Sequence, residues 1–320
     1  MRSWIVPIIA VMAATLNVAS ANEAYPSRTV TIVVPFPAGS FTDGVARKLA
    51  ESLRQRLGQT FIIENKAGAD GIIAARGVAS AAPDGYTLLL TTNTTHSANP
   101  SLYRKLSYDP QKDFTPVGGV SKIPFMLAVG RNFPAHDLAS FIKVAKDARP
   151  AISFGSGNSG SRASGEMLKA RMGIDMLHVP YRGSPQAITD LIAGRIDVFF
   201  PDPASALGML ESGNIKVLAV TGEKRVKSLP NVPTMEEQGV PNYRIVAWVA
   251  MFGPAGLPAV VTAKLNSSIV ETLGQPDMIS YLDQIGSDPF PTTPVDLATF
   301  VQEDAQRWVE IVETSRMERK

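Results

Sequence analysis

Residues 153–168 read SFGSGNSGSRASGEML and contain Gly155, Gly157 and Gly160 in the spacing G-x-G-x-x-G, after the short apolar run Ala151-Ile152-Ser153-Phe154. Such a turn holds the pyrophosphate of a dinucleotide, or another anion, on backbone amides at a helix start. A dinucleotide site also needs an acid roughly 20 residues further on, at the end of the second strand, for the ribose hydroxyls. That strand ends Val179-Pro180-Tyr181, and Asp175 lies before it, so hydride-transfer chemistry is not supported. No G-x-x-x-x-G-K-[ST] or G-x-S-x-G occurs and cysteine is absent, which removes the P-loop, the nucleophile elbow and a thiol nucleophile. The three histidines, His96, His136 and His178, are far apart. His178 falls in an apolar strand and reads as a core residue; His96, in a polar loop, is the better functional candidate but has no readable partner. No metal-ligand spacing is present, so neither metal nor cofactor is expected.

What remains is anion binding by backbone, and a second unit supports it. Thr29–Val34 has the β-branched content of a strand and runs into Pro35-Phe36-Pro37-Ala38-Gly39-Ser40-Phe41-Thr42-Asp43. A helix follows with Val45, Leu49, Leu53 and Leu57 on one face, Thr42 or Asp43 as its cap and Gly58 as its stop. The stretches 34–44 and 154–164 thus both read as strand, glycine turn and helix, each placing unbonded helix-start amides at the carboxyl edge of a parallel sheet.

The intervening chain alternates accordingly. Strands are predicted at 61–64 and 86–90 and a helix at 70–82. The order restarts with strands near 124–129, 152–154, 176–179, 196–200 and 216–220, separated by helices near 136–147, 161–172, 184–193 and 203–212. A last strand, 245–251, precedes helices near 259–274, 276–284 and 295–316. This is α/β alternation in two parallel sheets. No stretch resembles a flexible linker, so the chain is expected to cross between two lobes more than once. The division is 22–124 plus 248–320 for the first domain and 125–247 for the second, with a cleft between them.

The first 21 residues, MRSWIVPIIAVMAATLNVASA, have the layout of a secretory signal: Arg2, an apolar run, and Ala19-Ser20-Ala21 before the cut. Export to the periplasm, with cleavage after Ala21, is expected. Of 31 basic residues Arg2 is lost with the leader, leaving 30 against 29 acids and a mature net charge of +1. That balance gives no reason to expect nucleic acid as a partner. A monomer is expected.

Seven blocks then carry a resemblance: VTIVVPFPAGSFTDGVAR (30–47), IIENKAGADGIIAA (62–75), APDGYTLLL (82–90), SFGSGNSGS (153–161), HVPYRGSPQAITDLIAGRIDVFF (178–200), IKVLAVTGEKRVKSLPNVPTMEEQG (215–239) and WVAMFGPAGLP (248–258). In this order they resemble the Bug-type solute-binding proteins, the extracytoplasmic receptors of tripartite tricarboxylate transporters. The resemblance covers nearly the whole mature chain. It implies a type II periplasmic binding-protein fold that closes on its ligand by a hinge motion. It also implies a small carboxylic acid as ligand, membrane permease subunits as partners and no catalysis. The same cleft in an envelope sensor subunit is the alternative use.

Carried onto this sequence, the resemblance puts the ligand carboxylate, helped by two ordered waters, on Phe36, Pro37, Ala38, Gly39, Ser40 and Asp43. Ser156, Gly157 and Ser161 face it, and Asn93, Thr94, Tyr181 and Asp202 line the rim. Two positions depart from the usual pattern: Phe41 stands where a second glycine is common, and Ser164 where many relatives open the helix with histidine. Phe41 as an apolar wall would favour an aromatic or longer-chain acid over citrate.

Overall fold

The computed structural model describes residues 25–320; the secretory-signal reading lies outside them. The chain opens with β1 (Val30–Val34), α1 (Phe41–Leu57), β2 (Phe61–Asn65), α2 (Ile72–Ala79), β3 (Thr87–Thr92), α3 (Asn99–Leu102) and β4 (Phe114–Pro124). The chain then builds β5 (Met126–Gly130), α4 (Leu138–Asp147), β6 (Ile152–Ser156), α5 (Ser159–Met172), β7 (Met176–Pro180), α6 (Ser184–Ile192), β8 (Val198–Phe199), α7 (Pro203–Glu211) and β9 (Ile215–Val220). It closes with β10 (Val246–Pro254), α8 (Ala259–Leu273), α9 (Pro276–Gln284), β11 (Asp288–Pro289) and α10 (Pro294–Thr314).

Two sheets result, in the orders β11-β4-β10-β3-β1-β2 and β7-β6-β8-β5-β9. Neither is wholly parallel, which corrects the expectation of two parallel sheets. β1 runs parallel to β2 and β3, but β10 is antiparallel to β3 and β4; β6 runs parallel to β7 and β8, but β5 is antiparallel to β8 and β9. The reason is the route of the chain. A parallel neighbour requires a crossover helix, whereas β10 arrives from the other sheet through the segment 221–245, so no crossover sets its direction.

The sheets are joined where β4 leads into β5 and where β9 returns to β10. Val246 pairs with Pro124 and Ala247 with Ile123, so the two crossing strands lie side by side. Thr221, fully buried, ties them together. Its hydroxyl accepts from the Phe125 amide at 2.8 Å and donates to the Ile245 carbonyl at 2.6 Å, and its own amide donates to the Phe125 carbonyl at 2.9 Å.

The amphipathic helices bury the faces their spacing predicts. Val45, Leu49 and Leu53 of α1 are completely buried, each contributing about 1.5–3 kcal/mol of apolar burial. The cap of α1 is Ser40, not Thr42 or Asp43: its Oγ accepts from the Asp43 amide at 3.3 Å, and both expected caps lie inside the helix. Leu297, Val301, Trp308 and Ile311 of α10 are buried, and the Trp308 neighbourhood includes Asp304, whose carboxylate accepts from Trp248 Nε1 at 2.7 Å. Among the described residues no helix is long and apolar enough to cross a membrane.

Candidate ligand cleft

The β1–α1 turn forms the first wall. Gly39 takes a φ of 79°, a conformation that favours glycine, and the Ser40 amide folds back to the Pro37 carbonyl at 3.2 Å. Asp43 braces the turn from beneath. Its carboxylate accepts from the Gly39 amide, Arg47 Nε and Asn65 Nδ2, each at 3.0 Å, and the same Asn65 nitrogen reaches the Phe36 carbonyl at 3.0 Å. Burial pushes the Asp43 carboxyl up, but the bonds from Arg47, Gly39 and Asn65 outweigh it and hold its pKa below the usual carboxylate range. Asp43 therefore neutralises Arg47 and fixes the loop. The amides of Phe41 and Thr42, first in α1, have no acceptor among the described residues.

The second wall is made of three turns. At the end of β6, Ser156 Oγ lies 2.6 Å from His178 Nε2 on the neighbouring strand. Asn158 and Ser161 cap α5 reciprocally: Ser161 N donates to Asn158 Oδ1 at 2.9 Å, while Ser161 Oγ accepts from the amides of Gly157 at 3.0 Å and Asn158 at 3.2 Å. Ser164 Oγ donates to the Gly160 carbonyl at 2.9 Å. The G-x-G-x-x-G glycines are there for close approach. A Cβ on Gly155 would lie 2.6 Å from Ile196 Cδ1, one on Gly157 2.5 Å from the Ser184 nitrogen, and one on Gly160 2.4 Å from the Phe125 ring.

Helix α6 starts at Gly183-Ser184 with no side-chain cap, and the Ser184 amide has no acceptor among the described residues. Helix α7 is capped by Asp202, whose Oδ1 accepts from Ser205 N at 2.8 Å and Ser205 Oγ at 2.7 Å. Burial of Asp202 pushes its pKa up despite the bonds from Ser205 and Ser184.

These turns meet. The inner compartment, about 20 Å³, is lined by Phe36, Ser40, Phe41 and Thr42 of the first turn and by Thr92 and Asn93 at the end of β3; opposite stand Gly157, Asn158, Gly183, Ser184 and Asp202, with Ile123, Phe125 and Ala247 at the hinge. No lysine or arginine is among them. Its volume is about that of one water. Asn93 is 2% exposed and its Nδ2 has no hydrogen-bond partner. Four helices, α1, α5, α6 and α7, begin at this compartment, and each adds positive potential from its N-terminus. Donors without acceptors, a positive field and no cationic side chain make a site for an anion that accepts hydrogen bonds.

An outer compartment of about 280 Å³ shares Phe36, Gly157 and Asn158 with the inner one and continues past Thr94, Tyr181 and Arg182 to Asp70 and Lys320. Here Asp70 holds Lys320 Nζ at 2.6 Å and Tyr103 Oη at 2.5 Å. Tyr181 donates to Asp190 at 2.8 Å, and burial together with Asp190 pushes its hydroxyl up to about 12. The lobes touch across the cleft: a Cβ on Gly183 would lie 2.5 Å from Pro37 Cγ. A cavity of about 460 Å³ lies at the hinge between Lys122 and Asp288. Two of its lysines pair with its acids, Lys227 with Asp283 at 2.7 Å and Lys224 with Asp288 at 3.3 Å, Lys122 lies over the Phe290 ring, and no helix starts there.

Comparison with known proteins decides the family. Residues 45–317 match the profile described as "Tripartite tricarboxylate transporter family receptor". Protein BugT of Bordetella pertussis is 32% identical over 311 residues, covering 95% of this chain and 95% of BugT. The chain belongs to the tripartite tricarboxylate transporter receptor family. Among solved structures, R. palustris Rpa4515 with adipate superposes with a TM-score of 0.89 at 34% identity, over 92% of this chain and all of that one (100%). The periplasmic binding protein BugD superposes with a TM-score of 0.88 at 35% identity, over 92% and 100%. The two-lobed α/β architecture of this receptor is thus the periplasmic binding protein fold.

Within this receptor, Phe36, Ser40, Phe41, Asn93, Gly157 and Asp202 of the sequence-predicted site line the inner compartment, and Thr94 and Tyr181 the outer one. Pro37 and Gly39 shape the turn, next to Ala38. Asp43 braces it, while Ser161 and Ser164, both fully buried, are bonded within α5 and its cap and do not reach either compartment. His96 is corrected from functional candidate to core residue. It is almost wholly buried, its ring stacked on Phe252 at 3.9 Å between centroids, and burial lowers its pKa to about 3. Sequence reasoning missed Thr42, Thr92, Asn158, Gly183 and Ser184. The signal for the last two was present: Gly183-Ser184-Pro185 after a strand is a third glycine turn opening a helix.

Proposed function

We propose that the chain is an exported, periplasmic solute-binding receptor that captures a small carboxylic acid between its lobes, with residues 22–124 plus 248–320 as one lobe and 125–247 as the other. It hands the acid, unaltered, to the membrane permease subunits of a tripartite tricarboxylate-type transporter. The observation that carries this reading is the inner compartment, lined from both lobes by residues with unsatisfied donors: the amides of Phe41, Thr42 and Ser184 and the buried Asn93 Nδ2. Charge-assisted bonds contribute about 1.5–3 kcal/mol each and offset desolvation of the anion. The adipate bound by Rpa4515 fits the same chemistry. Because the donors belong to different lobes, the acid binds the closed form more tightly than the open one and draws the lobes together.

Among the described residues two hydroxyl–imidazole pairs suggest a nucleophile with its base, the wholly buried Thr95–His96 pair and the more accessible Ser156–His178 pair. Burial, Arg162, Lys320 and Lys169 hold His178 down at about 4, and no described carboxylate bonds its Nδ1 to orient it. We therefore assign binding without turnover.

The test is thermal denaturation of the receptor, refolded from denaturant to remove co-purified solute, against mono-, di-, tri- and aromatic carboxylates. A ligand at 100 times its Kd adds about 2.7 kcal/mol, several degrees in Tm for a chain of this size. A panel in which only uncharged solutes raise Tm overturns the reading. So does a product peak by chromatography after prolonged incubation with the bound acid.

A further inference from the structure

Asp202 presents an acceptor inside a compartment otherwise rich in donors. Capping α7 uses only one of its oxygens: Oδ1 takes both bonds from Ser205, at 2.7 and 2.8 Å. Asn or Ser would cap the helix as well. The other oxygen, Oδ2, has a single long contact, 3.4 Å from Ser184 Oγ, although the residue is only 4% exposed and lines the inner compartment. A buried carboxylate oxygen with so little bonding costs free energy unless something else donates to it. Asn93, which lines the same compartment from the other lobe, carries a buried Nδ2 with nothing to donate to.

Resting on the reading of this cleft as a carboxylate site, we infer that Asp202 selects acids carrying a hydroxyl or ammonium group on the carbon next to the bound carboxylate. Once the lobes part to admit a head larger than the one-water space seen here, its carboxylate accepts from Asn93 Nδ2 and the α1 amides, and the neighbouring hydroxyl or ammonium donates to Asp202 Oδ2. One polar head so satisfies an orphaned donor on one lobe and an under-bonded acceptor on the other. No lysine or arginine lines the compartment to neutralise Asp202. An acid lacking the donor leaves Asp202 Oδ2 buried and under-bonded. Selection by an unpaired buried group is steep, because the wrong ligand leaves that group desolvated and unbonded.

The experiment is isothermal titration calorimetry on the mature receptor and its Asp202→Asn variant with matched pairs: succinate and malate, glutarate and 2-hydroxyglutarate, phenylacetate and mandelate, tricarballylate and citrate, whose hydroxyl is likewise on a carboxylate-bearing carbon. Wild type should bind the 2-hydroxy member of a pair at least tenfold more tightly than its parent. Asp202→Asn should weaken the 2-hydroxy acid at least tenfold and the parent less than twofold. Equal affinities within a pair, or equal weakening of both members by Asp202→Asn, overturns the inference while leaving carboxylate binding intact. Absence of heat with all eight acids on folded protein overturns the cleft assignment as well. Should Asp202→Asn fail to fold, Asp202→Ser keeps the cap, and the same ratios apply.

Discussion

Closure of the lobes can be blocked at one atom. Gly183 has a φ of 178°, extended backbone open to any residue, so alanine there brings no backbone strain. Its Cβ would nevertheless lie 2.5 Å from Pro37 Cγ and 2.8 Å from Pro37 Cδ, across the gap between lobes. Ordinary carbon contacts are about 3.5–4.0 Å, so the walls must separate by roughly 1 Å. Overpacking of that kind costs about 1–3 kcal/mol. At 1.4 kcal/mol per decade, affinity should fall about 5- to 150-fold. In the open form the clash is absent, so Gly183→Ala without ligand should melt within a degree or so of wild type. Calorimetry measures the affinity and small-angle scattering the ligand-induced compaction, which the variant should lose in part. Pro37→Ala removes the offending ring atoms, and the double variant should recover most of the lost affinity, a coupling that a double-mutant cycle isolates. An affinity for Gly183→Ala equal to wild type, or no recovery in the double variant, would refute the reasoning.

Three further outcomes follow from other parts of the molecule. Thr221→Val strips the buried Phe125 amide of its acceptor at the hinge, which should cost about 1–3 kcal/mol of stability in a denaturant titration; a loss below 0.5 kcal/mol, well under that about 1–3 kcal/mol range, is incompatible with the tie described. Asn93→Leu removes an unbonded buried donor and should leave Tm unchanged or higher while weakening carboxylate binding about tenfold or more; unaltered affinity would place the carboxylate elsewhere. In the fold His178 sits at about 4 and His96 at about 3, both below the ordinary value of 6.5 because burial disfavours the cation. The unfolded chain therefore binds more protons, so their contribution is whole above about pH 6.5 and is lost as pH falls toward 4. Tm should drop over that window, and His178→Gln should flatten part of the drop; a flat wild-type profile from pH 7 to 4.5 contradicts it.

Much of the architecture is legible because strands and helices of this fold announce themselves by period. Val45, Leu49 and Leu53 mark one helix face, and the β-branched run 29–34 marks the first strand. β4 is the element the pattern hides: Pro116, Gly118, Gly119 and Pro124 read as breakers. They are tolerated because β4 bulges twice against β10, and because a Cβ on Gly119 would strike the Phe290 carbonyl at 2.4 Å, a close approach no local signal reveals. The direction of β10 depends on its return from the other lobe, which is a property of the whole chain.

The site was readable to the level of turns and not of atoms. Serine at 156, 161 and 164 suggests donors for a ligand, but only the fold shows Ser161 and Ser164 bonded within α5 and its cap, and Ser156 on His178. Asn93 differs from Thr91, Thr92 and Thr95, whose hydroxyls are bonded, in having an unpartnered side-chain donor beside the cleft. That distinction needs coordinates, as does the π-helix at Thr94–Ala98 that turns the chain just beyond it and buries His96.

The central assertion is that main-chain amides from two lobes, without a cationic side chain, grip a carboxylate. A crystal structure of the receptor with its tightest-binding acid tests it most directly. The prediction is one carboxylate with oxygens about 3 Å from the Phe41 or Thr42 amide, from Asn93 Nδ2 and from the second-lobe turns. A carboxylate bonded instead to Arg182 or Lys320, or an acid seated in the cavity at the hinge, would contradict it.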